Sequence, residues 1–268
     1  MFISERSLRL YSVTGRIHQI KQPRGGYLPI ARFQVRTLED AHTLAPKENL
    51  HPTVVGLAVD DLTRLQLGAA AEDVFQVALE GARRAEILGV TGARAEANGY
   101  LARIHGLDDD SIQSACKLVT FDVWKRSTFN AFAARPAENT NPDAATLSNI
   151  RVMVSRGLHF WQEYGPVTHS GFNFLPSGYS RIVSSGDGDY LTEDTLWDFK
   201  VSAAAPKSQH TLQLLMYWVM GQHSGNPIFS DIVRVGFFNP RLNRVYTYNM
   251  ADLPPETLRM VEREIIGY

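Results

Sequence analysis

Residues 186–202 read GDGDYLTEDTLWDFKVS. Five carboxylates, Asp187, Asp189, Glu193, Asp194 and Asp198, crowd into the thirteen residues before Phe199, and a single lysine, Lys200, follows. Strand side chains alternate between faces. If TLWDFKVS is a strand, Thr195, Trp197, Phe199 and Val201 form one bulky apolar face. Leu196, Asp198, Lys200 and Ser202 then form the other. A charge carried on such a strand needs a partner, a metal or solvent, because burying it alone is costly. The spacing allows the run ending at Asp189 to pair with this strand as a hairpin, which sets Asp189 beside Asp198. Two carboxylates brought together without a cation repel and raise one another's pKa. A divalent cation relieves this, and Mg²⁺ takes one or two carboxylates together with water and substrate phosphate. The plainer alternative is a local Asp–Lys pair on a half-exposed strand.

Two other readings of the acidic run fail. A calcium-binding EF-hand loop needs D-x-[DN]-x-[DN]-G with glutamate at position twelve. Here Leu191 breaks the third position, Thr192 replaces the glycine and Asp198 stands twelfth. GDGDYL also lacks the third glycine of a dinucleotide-binding turn.

The flanking sequence predicts an α/β protein. TLSNIRVMVSRGLHFWQEYG (146–165) carries Leu147, Ile150, Val154, Leu158 and Trp161 on one helical stripe. Extended runs follow in GFNFL, YSRIVSS and TLWDFKVS. A helix is expected in PKSQHTLQLLMYWVMGQHS, a hairpin in DIVRVGFFNP and NRVYTYN, and a last helix in LPPETLRMVEREIIGY, with Pro255 in its first turn. The expected core is a small mixed β-sheet, α-β-β-β-α-β, flanked by helices, over residues 147–268. Residues 60–146, rich in Ala, Leu, Glu and Arg, read as a helical N-terminal elaboration. Within it, Asp110 or Ser111 is the expected cap of the helix in DDDSIQSACKLVTFDVWKRS, and RPAENTNPDA (135–144) is a loop. Residues 1–59 read as irregular or extended, with prolines at 23, 29, 46 and 52. YSVTGRIHQI and IARFQVRTL are the strand candidates there.

The 268 residues suffice for a buried core. The net charge of -1 gives no global attraction to nucleic acid, so a nucleic-acid partner would need a local basic patch. Candidates are Lys125, Arg126, Arg151, Arg156, Lys207, Arg241 and Arg244. One cysteine, Cys116, excludes a disulfide framework or a four-cysteine cluster within the chain. The N-terminal residues lack a signal-peptide pattern, and no run approaches ~18 apolar residues, so a cytoplasmic protein with no membrane partner is expected. The eight histidines make no H-E-x-x-H pattern and read as structural, or at most as phosphate contacts.

GDGD, then DFK, then QLLMY on the following helix resembles the PD-(D/E)XK nuclease superfamily in its RecB-like branch. Gly186 and Asp189 match a G-x-x-D element, Asp198, Phe199 and Lys200 a D-x-K strand, and Gln213, Leu214 and Tyr217 a Q-L-x-x-Y helix. The resemblance covers about residues 147–250 and implies the same core. It implies a Mg²⁺- or Mn²⁺-dependent nuclease acting on nucleic acid, with DNA the first expectation. Asp189, Asp198 and the Phe199 carbonyl would bind the metal, and Lys200 would orient the attacking water. Gln213 would hold the nucleophile or the phosphate, with Tyr217 one turn on. An upstream acid is also implied, for which Glu72, four residues after Gly68, and Glu163 both stand open. The rival reading is a nuclease-like fold serving as a nucleic-acid-binding or assembly module. A protein partner or homo-oligomer is compatible with either.

Overall fold

The computed structural model describes residues 10–126, 131 and 136–268. The first nine residues, and Ser127 and Arg135 at the ends of two expected segments, lie outside them. The chain falls into two compact units. One is built from Met1–Leu38, Trp161–Lys200 and Ala204–Tyr268, the other from Glu39–Phe160 and Val201–Ala203.

The first unit is a mixed α/β structure. Its strands are β1 (Tyr11–Ser12), β2 (Gln34–Thr37), β3 (His169–Phe172), β4 (Val183–Ser185), β5 (Gly188–Leu191), β6 (Thr195–Phe199), β7 (Arg234–Asn239) and β8 (Arg244–Asn249). Six of them form one sheet in the order β2-β8-β7-β6-β5-β3, and β1 pairs with β4 in a small parallel sheet. Within the large sheet only β6 and β7 run parallel; the other pairings are antiparallel. The hairpin expected at 231–249 is therefore β7–β8, while YSRIVSS leaves the large sheet to pair with the N-terminal segment.

That segment departs from its expected form. Only Tyr11–Ser12 of YSVTGRIHQI is strand; α1 (Val13–Ile17) follows at once. The Ser12 hydroxyl accepts from the Gly15 N–H at 3.0 Å, an N-cap bond, and Val13 and Ile17 bury one helical face. Four residues of IARFQVRTL do form a strand, β2, but as an edge of the large sheet.

In the second unit α2 (Pro52–Gln66) begins eight residues before the expected helical boundary at 60. Pro52 stands at the first turn of α2, where a missing N–H costs nothing. Further helices are α3 (Ala71–Val74), α4 (Gln76–Ile87), α5 (Ala93–Leu101), α6 (Asp109–Leu118) and α7 (Asp122–Arg126). The cap of α6 is Asp108, upstream of the expected Asp110 or Ser111: its carboxylate accepts from the Ser111 N–H at 3.0 Å. Cys116 is fully buried on α6, and burial pushes its thiol up to about 12, so it is an apolar core residue. Helix α8 (Ala144–Tyr164) starts in this unit, and its last residues, 161–164, belong to the first.

The large sheet has two different faces. On one, Trp161 and Tyr164 of α8 lie against strand aromatics: Trp161 on Tyr190 (4.8 Å between ring centroids) and Phe199 (6.5 Å), Tyr164 on Trp197 (5.4 Å). The Trp197 ring occupies the space above Gly236, where a Cβ would come within 2.3 Å of it. On the other face Leu191, Leu196, Val235 and Phe237 join the core built on α9 (Ser208–His223). Helix α10 (Pro255–Met260) and a wider helical turn, Val261–Ile266, complete the described chain. Among the described residues no helix is long and apolar enough to cross a membrane.

Candidate active site

Strands β5 and β6 pair Leu191 with Leu196 and Tyr190 with Trp197. One further step along this register sets Asp189 opposite Asp198. Cross-strand neighbours project from the same face. Leu191 and Leu196 put that face on the α9 side, away from Trp197 and Phe199. The ladder changes at this step: the Phe199 N–H donates to the Asp189 carboxylate, Oδ2, at 2.9 Å. A side chain has entered where a backbone carbonyl would have closed the next rung. In a strand the N–H and C=O of one residue leave along the same edge, so the Phe199 carbonyl points along the edge that Asp189 occupies.

Asp198 is 2% exposed, and its carboxylate meets the Lys200 ammonium at 2.8 and 3.0 Å. The Lys200 side chain retains 24% exposure and so reaches from the buried acid toward solvent. Strand β6 ends at Phe199, short of the TLWDFKVS expected, but the Lys200 N–H still donates to the Phe238 carbonyl at 2.9 Å. That bond holds Lys200 in line behind Asp198.

Helix α9 supplies the roof. Gln213 and Tyr217, one turn apart, are joined by a 2.8 Å hydrogen bond from Gln213 Nε2 to the Tyr217 hydroxyl. Burial raises the Tyr217 hydroxyl far above its usual range; Asp198, Asp189 and Asp187 push it in the same direction, against the Gln213 hydrogen bond. Tyr217 is thus a hydrogen-bonding group that keeps its proton, not a base. It also reports a concentration of negative charge: three carboxylates act on one buried phenol.

The loop before β5 is fixed by close packing. A Cβ at Gly186 would sit 2.7 Å from Val13 Cγ2 and 3.5 Å from the Tyr217 ring. The Tyr179 hydroxyl donates to the Gly186 carbonyl at 2.8 Å. These contacts hold Asp187, which is exposed, and Asp189, which is half-buried.

The remaining carboxylates do other work. Asp194 pairs with Arg234, accepts from the Thr195 hydroxyl at 2.7 Å, and its carbonyl accepts from the N–H groups of Val233 and Arg234. It anchors the start of β6 to β7. Glu193 is exposed in the β5–β6 turn. Glu163 forms a 2.8 Å ion pair with Arg36 on edge strand β2, and its helix covers the aromatic face. The structure does not bring Glu163 to Asp198. Glu72 is an exposed residue in the first turn of α3, in the second unit, whereas every residue of the cluster belongs to the first.

Four of the basic candidates are engaged by acids: Lys125 by Glu80, Arg126 by Asp122, Arg151 by Asp109 and Arg156 by Asp40. Lys207 stands elsewhere, at the N-terminus of α9. His210, which sequence reasoning left among the histidines read as structural or at most as phosphate contacts, stands on the first turn of α9. Burial, then Lys200 and Lys207, lowers its pKa to about 4. The signal was in HTLQLLMY: positions 210, 213 and 217 lie on one helical stripe.

Among the described residues no three His, Cys, Asp or Glu side chains gather as a metal-binding group. The donor set is two carboxylates with one backbone carbonyl, all oxygen. Hard divalent cations such as Mg²⁺ accept such ligands and complete their shell with water and phosphate, so the residues present fit one.

No family model matches the chain, and neither the curated proteins nor the solved structures yield a match.

Proposed function

We infer that the protein is a metal-dependent nuclease that hydrolyses phosphodiester bonds of nucleic acid, DNA first among them. One observation carries this reading: Asp189 and Asp198 come from adjacent strands to one face, with Lys200 bonded to the buried member and the Gln213–Tyr217 pair above them. An ion pair made only for stability needs neither the second carboxylate nor the ladder break that admits it.

Asp189, Asp198 and the Phe199 carbonyl would hold a Mg²⁺ or Mn²⁺ ion. Such an ion lowers the pKa of a bound water and offsets the charge of a phosphate. Lys200 offsets one of the two negative charges and keeps its ammonium at the solvent side, where a phosphate oxygen meets it. Gln213 orients its amide with the help of Tyr217, placing polar groups opposite the carboxylates. The low acidity of Tyr217 keeps a further anion out of an already negative pocket.

The test is cleavage of linear, circular and single-stranded DNA with Mg²⁺, Mn²⁺ or EDTA. Asp198→Ala and Lys200→Ala should each lower turnover by at least ~10²-fold, a loss in the range seen for removing one positioned catalytic group. Activity that survives EDTA overturns the metal mechanism. DNA binding without cleavage under any condition favours a binding or assembly module on the same fold.

A further inference from the structure

His210 stands on the α9 stripe that carries Gln213 and Tyr217, in a defined tautomer. The Lys207 N–H donates to His210 Nδ1 at 3.2 Å, so Nδ1 must be the ring's acceptor. The neutral ring then carries its proton on Nε2. Among the described residues Nε2–H meets no hydrogen-bond acceptor. The ring is half-buried, shares the α9 stripe of Gln213 and Tyr217, and lies close enough to Lys200 to feel its charge.

A neutral N–H donor beside an ammonium, above a negative pocket, suits one ligand chemistry. A non-bridging phosphate oxygen accepts from both groups at once. The cation site draws in the same phosphate from below. An imidazolium here would set a further positive charge near Lys200 and Lys207, and burial together with those two ammonium groups keeps the ring neutral at neutral pH.

We propose that His210 binds a non-bridging oxygen of the substrate phosphodiester, donating from Nε2 beside the Lys200 ammonium. The proposal rests on the nuclease reading above. It makes His210 a substrate-binding residue that exchanges no proton during the reaction.

The helix-capping role of Nδ1 and the ligand role of Nε2 separate by substitution. The Asn amide oxygen falls near the position of Nδ1 and keeps the cap while removing the donor. The Gln amide nitrogen falls near Nε2 and keeps the donor while losing the cap. Three readouts apply to His210→Asn, His210→Gln and the wild type: thermal unfolding, cleavage kinetics in Mg²⁺, and fluorescence anisotropy of a labelled single-stranded oligonucleotide in Ca²⁺. His210→Asn should unfold like wild type yet weaken DNA binding and raise KM about tenfold, the worth of one hydrogen bond to a charged acceptor. Its pH–rate profile above pH 6 should parallel wild type. His210→Gln should unfold at lower temperature and bind near wild type. An Asn variant that binds and cleaves like wild type overturns the proposal, as does the loss of a titrating limb from its pH–rate profile. If wild type binds DNA but never cleaves it, the nuclease reading falls and the binding comparison still decides His210. If wild type does neither, both fall.

Discussion

At the scale of single residues, the acid–lysine pair of β6 shows how strongly burial sets the role of a charge. Asp198 is almost wholly enclosed, and its nearest cation is two residues along the same strand. Removing that cation strands a carboxylate in the sheet. Lys200→Ala should therefore destabilise the fold by about 3 kcal/mol, the low end for a broken buried pair because Lys200 is partly exposed. Adding Asp198→Asn to that variant should restore most of the loss, because the uncompensated charge is gone. Urea unfolding of the two single variants and the double variant measures this coupling, and strict additivity would contradict it. The pairing of Asp198 with Lys200 was legible in DFK, because strand alternation alone sets them side by side. The entry of Asp189 into the ladder was not legible. It depends on where β5 and β6 stop pairing, which the flanking side chains decide. The same holds for Glu163: its partner Arg36 is 127 positions away in the sequence, on a strand that local pattern does not assign to this sheet.

At the scale of elements, α2 and α7 bring acids together for a different reason. Burial, then Asp60 and Asp122, raises the Asp61 carboxyl well above the usual range. Burial raises Asp122 to about 6 despite its hydrogen bonds from Arg126. A carboxyl with a raised folded pKa takes up a proton on folding. Its contribution to stability is full below the unfolded value near 4 and is lost as pH rises through about 6. His210 acts in the opposite sense: its lowered pKa removes stability as pH falls from about 6.5 to about 4. The two slopes oppose each other in the wild type, so the difference from a variant isolates each. Asp122→Asn should gain stability relative to wild type between pH 4 and pH 7, by up to about 3 kcal/mol for a shift of roughly two units. Denaturant unfolding at pH 4, 5, 6 and 7 reads it; a difference that stays flat across the series overturns the assignment. Composition made these elements legible from residue 60 onward, since Ala, Leu, Glu and Arg crowd that stretch. Their true start was hidden because Pro52 reads equally as a breaker or as a first-turn residue.

At the scale of the whole molecule, the sequence order and the spatial order disagree in one way that matters. The helix, strands and helix after residue 144 were legible because each carries its own periodicity. The N-terminal contribution was not, because β1 and β2 owe their strand geometry to partners at Val183–Ser185 and Arg244–Thr247. The unit that bears the site is thus interrupted by 39–160, where helices α2–α7 lie, and its strands β1 and β2 pair with strands made much later. Loop closure over such a separation is slow compared with local helix formation. In refolding followed by pulsed hydrogen exchange, amides of α2 and α6 should gain protection before those of β2 and β8; simultaneous protection would contradict this order. On a ribosome adding about 5–20 residues per second, the interval between completing the helical stretch and releasing β8 is on the order of ten seconds. During it the early N-terminal residues wait without partners, Val13 has no Gly186 to pack against, and Asp189 has no Phe199 amide to hold it. An incomplete chain therefore has no assembled carboxylate cluster, and whatever this site does begins only when synthesis has passed Asn249.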